Sequence, residues 1–382
     1  MLPLSVAIIL AFGVCGASAQ RELVYVQAIW RHGDRAPNKL PYPNDLNTEA
    51  SWPRGWAQLT NIGMQELYKL GQFFKDQYSD FIGNRFDLNK IMVTSTNSER
   101  AIVSAQAFLY GMYPASGDDV WMDGETWQPL PFFSRTFGDE DAMLRPTNWN
   151  CSLYEKVLEE QNKELFAELE NQFSSFFAAL QNVTGFSKVD LKTAASLNNI
   201  KREIIHKMPQ PSWVLERWEA YGNQTAIDII MELKRITRIS EFNSPEKARL
   251  RGGLLLNDWL KRAENVSADV VVKPAKMNLY STHDGTVSSL MYALGIGDDK
   301  LIPYAACLIM EVYKTVDNNS TITEVKFLYK NDTSTNNMHL MIVPGCTDYC
   351  PIKNLTTLLS DAVISSVSQL NEVCCSVTES CQ

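Results

Sequence analysis

Two of the four histidines in this 382-residue chain sit among groups that could do chemistry with them. The first lies in Arg31-His32-Gly33-Asp34-Arg35-Ala36-Pro37, and the second in Thr282-His283-Asp284-Gly285. A third segment, Ser95-Thr96-Asn97-Ser98-Glu99-Arg100, adds another arginine. A neutral imidazole is a nucleophile, guanidinium forks bind phosphate dianions, and a carboxyl can pass a proton to a leaving group. Together the three segments offer a nucleophile candidate, several cations and an acid. Any one alone is weak, because a histidine beside an arginine is usually a surface or packing residue, and Arg31 and Arg35 could pair with some of the 44 acids. The conjunction of all three, each after a strand signal, carries the argument.

Those strand signals are the Val- and Ile-rich run at residues 22–29 and two shorter runs at 90–94 and 277–281. Gly33 and Pro37 force a loop after the first. Apolar residues Met64, Leu67, Phe74 and Tyr78, with Gly71 on the same face, predict a helix over 60–78 with Thr60 as its N-cap. Residues 98–113 and 286–294 read as helices, and 282–285 as a turn. The rhythm predicts an α/β fold with a mostly parallel central sheet flanked by helices. Ligands in such sheets bind beyond the carboxyl ends of strands. Residues 308–315, 323–329 and 339–343 read as further strands, antiparallel at a sheet edge. Between them, 151–250 is helical in pattern, notably 154–180 and 225–239, with breaks at Gly185 and Pro209–Pro211. This predicts a helical insertion (cap) domain at 151–250 within an α/β core of 20–150 and 251–382.

Composition narrows the function class. With 45% hydrophobic and 21% charged residues the chain is globular. Its net charge of −9 disfavours a nucleic-acid partner, so an anionic substrate needs a local cationic pocket. No extra basic patch for a polyphosphate is obvious. Residues 2–14 are almost wholly apolar and Ala17-Ser18-Ala19 follows, which predicts a signal peptide at 1–19 and a secreted or lysosomal protein. No later run is long and apolar enough for a transmembrane anchor. N-x-S/T acceptors at Asn150, Asn182, Asn223, Asn265, Asn318, Asn319, Asn331 and Asn354 predict a glycoprotein. Loss of Cys15 with the signal leaves Cys151, Cys307, Cys346, Cys350, Cys374, Cys375 and Cys381, read as disulfide partners with one left over. No compact Cys/His set suggests a metal, and no cofactor is implied. A homodimer is left open.

The residues quoted above make the chain resemble the histidine acid phosphatases. That is the branch of the histidine phosphatase superfamily holding the prostatic and lysosomal acid phosphatases and the phytases. Arg31 to Pro37 looks like the family signature. Trp52-Pro53-Arg54-Gly55-Trp56-Ala57-Gln58-Leu59-Thr60-Asn61-Ile62-Gly63 is similar to a second family segment, and Arg249-Leu250-Arg251-Gly252-Gly253 to a third. The resemblance implies a phosphoglycerate mutase-like fold with His32 as nucleophile. It implies Arg31, Arg35, Arg100 and His283 on the phosphate, and Asp284 as proton donor. It also implies a Cys346–Cys350 disulfide and a bridge from Cys151 to Cys374 or Cys375. Cys307 is left with Cys381, or the other member of that pair, as partner. Gly285 stands where many relatives have Thr, which predicts a looser turn.

The expected reaction is metal-independent hydrolysis of phosphate monoesters through a phosphohistidine. Neighbouring arginines keep His32 neutral in mild acid, and the acid protonates Asp284. The alternatives are a phytase or other inositol-phosphate phosphatase, and a non-catalytic binding protein of the same fold.

Overall fold

The computed structural model describes residues 21–134, 141–317 and 320–376. The predicted signal peptide, Asn318, Asn319 and Cys381 lie outside them. The strands, in chain order, are β1 (Arg21–Arg31), β2 (Ile91–Ser95), β3 (Phe133–Ser134), β4 (Arg217–Trp218), β5 (Gln224–Thr225), β6 (Met277–Thr282), β7 (Cys307–Asp317), β8 (Ser320–Lys330), β9 (His339–Met341) and β10 (Cys350–Pro351). The α-helices are α1 (Asn61–Ile82), α2 (Glu99–Met112), α3 (Ser152–Gln172), α4 (Ser174–Thr184), α5 (Leu191–Ser196), α6 (Ile200–Ile205), α7 (Ala226–Ile239), α8 (Pro245–Ser267), α9 (Asp284–Ala293), α10 (Ile352–Leu358) and α11 (Val367–Cys375).

The main sheet runs β10-β8-β7-β1-β6-β2-β3, with β9 on β8. β1, β6, β2 and β3 are parallel, and β7, β8, β9 and β10 extend the sheet antiparallel. Side chains alternate across β1. Val26, Ala28 and Trp30 join the core under α1 and α2, while Tyr25 and Ile29 join the core under α8 and α9. Each large apolar side chain so buried contributes roughly 1.5–3 kcal/mol. Thr60 caps α1 through its side chain, accepting from the Gly63 amide.

Residues 165–236 build a separate apolar cluster around Phe176, Leu180, Leu197, Ile230 and Leu233. The helix predicted over 154–180 is two helices meeting at Phe173, where Ser174 Oγ donates back to the Asn171 carbonyl. The break turns Phe173 onto Tyr221, with ring centroids 4.9 Å apart. α8 runs without interruption through residue 250.

Cys151 is bonded to Cys374, and Cys346 to Cys350. On α11, Cys374 faces the apolar cluster that contains Cys151, while Cys375, one helical step round, is only half-buried. Cys375 is itself disulfide-bonded. Cys307 corrects the expectation of a partner: it is a free thiol, wholly buried in β7 between the sheet and α1 and α2. Burial pushes that thiol above its ordinary pKa, which keeps it unreactive.

Candidate active site

Three adjacent parallel strands end at one level. Arg31 of β1 lies opposite Thr282 of β6, and Ser281 of β6 opposite Ser95 of β2. The ladder continues one step beyond each strand: the His32 amide donates to the Thr282 carbonyl at 2.8 Å, and the Thr96 amide to the Ser281 carbonyl at 3.1 Å. His32, Thr96 and His283 therefore emerge side by side, and the two imidazoles sit with centroids 5.5 Å apart. The expected turn at 282–285 is instead the start of α9, with Asp284 in its first turn, where the helix dipole favours a carboxylate.

His32 is buried, and its Nδ1 lies 2.8 Å from the Gly33 carbonyl. A carbonyl only accepts, so Nδ1 holds the proton and the lone pair is on Nε2. Burial first, then Arg31, His283, Arg100 and Arg35, hold its pKa well below the ordinary 6.5. His283 is held down to about 3, by burial first and then by Arg100. The Arg100 guanidinium lies 3.4 Å from His283 Nδ1, so His283 carries its proton on Nε2 and donates it to Thr96 Oγ1 at 3.0 Å.

The cations are fixed by neutral partners. Arg31 donates to the Ile302 carbonyl at 2.5 Å and lies 4.1 Å over the Tyr304 ring. Arg35 donates to the Ala36 carbonyl at 2.7 Å, and burial, then Arg202, push its pKa down to about 9. Among the described residues, none of Arg31, Arg35, Arg100 and Arg202 forms an ion pair with a carboxylate. An anion bound among them would relieve their mutual repulsion. The loop bearing them presses on α1: a Cβ on Gly33 would lie 2.3 Å from the Gly63 carbonyl oxygen, and one on Gly63 2.2 Å from that of Asp34. Both glycines are required for this approach.

Asp284 differs from its sequence-based expectation. Arg238 Nε donates to its Oδ2 at 3.1 Å. Burial alone would raise this carboxyl, but Arg238, then Arg31 and Lys234, outweigh burial and hold it well below the usual carboxylate range. The neighbouring cations therefore favour its charged form. Gly285 makes the contact feasible: a Cβ there would lie 2.6 Å from an Arg238 terminal nitrogen and 2.7 Å from Thr147 Cγ2. The residue expected to loosen a turn instead admits a guanidinium.

A cavity of about 720 Å³ opens over these groups. Among the described residues it is lined, besides Arg31, Arg35 and Arg100, by Arg145, Lys201, Arg202, Lys234 and Arg238, and by the acids Glu66, Asp284 and Asp332. This corrects the expectation of no extra basic patch. Apart from Arg145, these cations come from the 151–250 stretch and sit on helices, where a lysine or arginine reads as a solvated face. Only the tertiary fold turns them inward. Tyr304 was also missed; it links Arg31 to Arg202, whose Nε donates to Tyr304 Oη at 2.6 Å.

The family description "Histidine phosphatase superfamily (branch 2)" matches residues 22–330. Rat prostatic acid phosphatase is 32% identical over 90% of this chain and 87% of its own length. Xenopus laevis lysosomal acid phosphatase is 30% identical over 93% and 80%. Among solved structures, the Klebsiella sp ASR1 phytase superposes with a TM-score of 0.67, at 15% identity, over 92% of this chain and 99% of that one. The Hafnia alvei phytase gives 0.64 at 17% identity, over 91% and 98%. These two likenesses concern the fold alone. With three strand ends converging on two histidines and several arginines, and with a family match over most of its length and relatives of this identity along nearly all of it, the chain belongs to branch 2 of the histidine phosphatase superfamily.

Proposed function

We propose that the protein is an acid phosphatase that hydrolyses phosphate monoesters without a metal, through a phosphohistidine on His32. The observation that carries this reading is the His32 tautomer: Nδ1 is committed to the Gly33 carbonyl, and burial among four cationic or imidazole neighbours keeps Nε2 unprotonated in acid. In the first step the Nε2 lone pair forms the N–P bond as the ester P–O bond breaks. The proton on Asp284 goes to the leaving oxygen, giving the alcohol. In the second step water attacks phosphorus, the N–P bond breaks, and the water proton returns to Asp284 as phosphate leaves. Arg31, Arg35, Arg100 and His283 stabilise the oxygens of the transferring group. Since its neighbours favour Asp284 as a carboxylate, it takes up a proton from solvent as substrate binds, because the negative charge beside it raises its affinity for a proton. Residues 151–250 serve as the cap over the site.

A secretory route fits the surface. Asn150, Asn182, Asn223, Asn265, Asn331 and Asn354 are all exposed, as glycan acceptors must be. Among the described residues no helix is long and apolar enough to cross a membrane. A second reading, hydrolysis of inositol polyphosphates, is favoured by the additional cations of the cavity.

The test is a panel of p-nitrophenyl phosphate, glycerol 2-phosphate and phytate at pH 5, with and without a chelator. It is paired with ³²P trapping on wild type and His32→Ala after an acid-free quench. Metal-independent turnover, with label on the wild type and none on the variant, is expected. Label retained by a folded His32→Ala protein puts the nucleophile elsewhere.

A further inference from the structure

Arg238 and Lys234 lie one turn apart on α7 and both line the cavity next to Asp284. Arg238 is shared between two carboxylates: Nε faces Asp284, and a terminal nitrogen donates to Glu241 at 2.5 Å. Its guanidinium lies 5.3 Å from the Phe242 ring centroid and against Gly285. Lys234 is half-buried, and burial followed by the charge of Arg238 lowers its pKa. Glu241 and Asp284 are the acids that act on it, and Arg202 adds further positive charge. Asp284 in turn feels Arg238, Arg31, Lys234 and His32. Under the phosphatase reading the leaving oxygen lies at Asp284, so a group carried by the leaving alcohol comes near this pair of cations.

We propose that Arg238, with Lys234, is a specificity-determining subsite for a second anionic group on the leaving-group side of the substrate. When that anion draws Arg238 away, Asp284 is released to act as proton donor. The preferred substrates are then organic bisphosphates and other phosphomonoesters with a further anion, over esters of neutral alcohols. The second anion replaces Asp284 as a partner of Arg238, Asp284 takes a proton from solvent, and that proton passes to the leaving oxygen. Gly285 is part of the device, because any side chain there would collide with Arg238. This inference rests on the phosphatase reading.

The test compares propyl phosphate with 1,3-propanediol bisphosphate across pH 4–8, on wild type, Arg238→Met and Gly285→Ala. Arg238→Met keeps much of the volume and removes the charge. Gly285→Ala leaves every charge in place and displaces the guanidinium, so it serves if the first variant folds poorly. Wild type should favour the bisphosphate by about tenfold in kcat/KM, the value of one charge-assisted contact. In Arg238→Met that preference should vanish. The alkaline limb for propyl phosphate should move up by about one pH unit, because Asp284 keeps its proton longer without the cation. Gly285→Ala should move both readouts the same way. Equal losses on both substrates with an unmoved alkaline limb would make Arg238 merely structural and overturn the proposal, as would a wild type indifferent to the second phosphate. If wild type hydrolyses neither ester, the phosphatase reading fails instead, which is a separate outcome.

Discussion

His206, which follows α6, reaches into the nucleophile's loop and places Nε2 2.6 Å from Asp34 Oδ2. The same oxygen accepts from Thr60 Oγ1 at 2.6 Å, while the Asp34 amide donates to Glu66 at 2.8 Å. Trp52 packs edge-on against the imidazole at 4.9 Å. Asp34 lies between Gly33 and Arg35, so this contact ties the end of α6 to the loop that carries His32 and Arg35. The Asp34 side chain is 2% exposed and its Oδ1 has no hydrogen-bond partner, so loss of His206 leaves a nearly buried carboxylate with one side-chain partner.

His206→Ala should therefore cost roughly 1–3 kcal/mol of stability, the usual penalty for removing one hydrogen-bond partner of a buried polar group. It should also weaken inhibition by inorganic phosphate at pH 5 by about tenfold, through misplacement of Arg35. His206→Gln keeps a donor and should recover most of the phosphate affinity. Thermal melts and phosphate Ki values on the two variants check this. An unchanged Ki in folded His206→Ala would separate the clasp from phosphate binding.

A second contact across the same seam depends on acid. Glu203 of α6 is buried, and its carboxyl faces that of Asp45 within hydrogen-bonding reach. Asn47 and Gln210 side-chain amides donate to its Oε2 at 3.0 and 2.9 Å. Burial first, then Asp45, push Glu203 up to about 7. A folded-state pKa raised above 4.5 gives stability that is complete below pH 4.5 and lost as pH rises toward 7. Glu203→Gln keeps the acceptor and offers Asp45 a donor at every pH. It should flatten that decline and stabilise the protein at pH 8 by on the order of 2 kcal/mol. Urea titrations at pH 4.5 and pH 8 measure the difference. A wild-type protein equally stable at both would remove Glu203 from this role.

Asp284→Asn tests the proton donor. An alkoxide leaves poorly without a proton, whereas nitrophenolate leaves readily. General acid catalysis is worth ~10²–10⁴-fold, so the variant should lose that much on glycerol 2-phosphate and clearly less on p-nitrophenyl phosphate. Steady-state kcat/KM on both substrates decides the point. A uniform loss would leave Asp284 only as an orienting neighbour of His283.

Local patterns were enough to find most of the strands and the three segments that meet at their ends. Alternation in β1, the helical face of α1 with its Thr60 cap, and the Gly33–Pro37 loop are local patterns, and local sterics and periodicity act over a few residues. That is why His32, Arg100 and His283 could each be placed just past a strand before the strands were known to be neighbours. The side-by-side order β1-β6-β2 that joins them is decided by packing between segments 251 residues apart for β1 and β6 and 186 apart for β2 and β6. The same is true of the contacts Arg238–Asp284, Arg202–Tyr304 and His206–Asp34, separated by 46, 102 and 172 residues. Cations on α6 and α7 carry no sign in the sequence that they face inward, because a buried lysine or arginine and a solvated one are the same letter. The protonation state of Asp284 was likewise decided only in the tertiary structure. It depends on which charges lie within a few ångströms through a low-dielectric medium, and Gly285 admits the nearest of them.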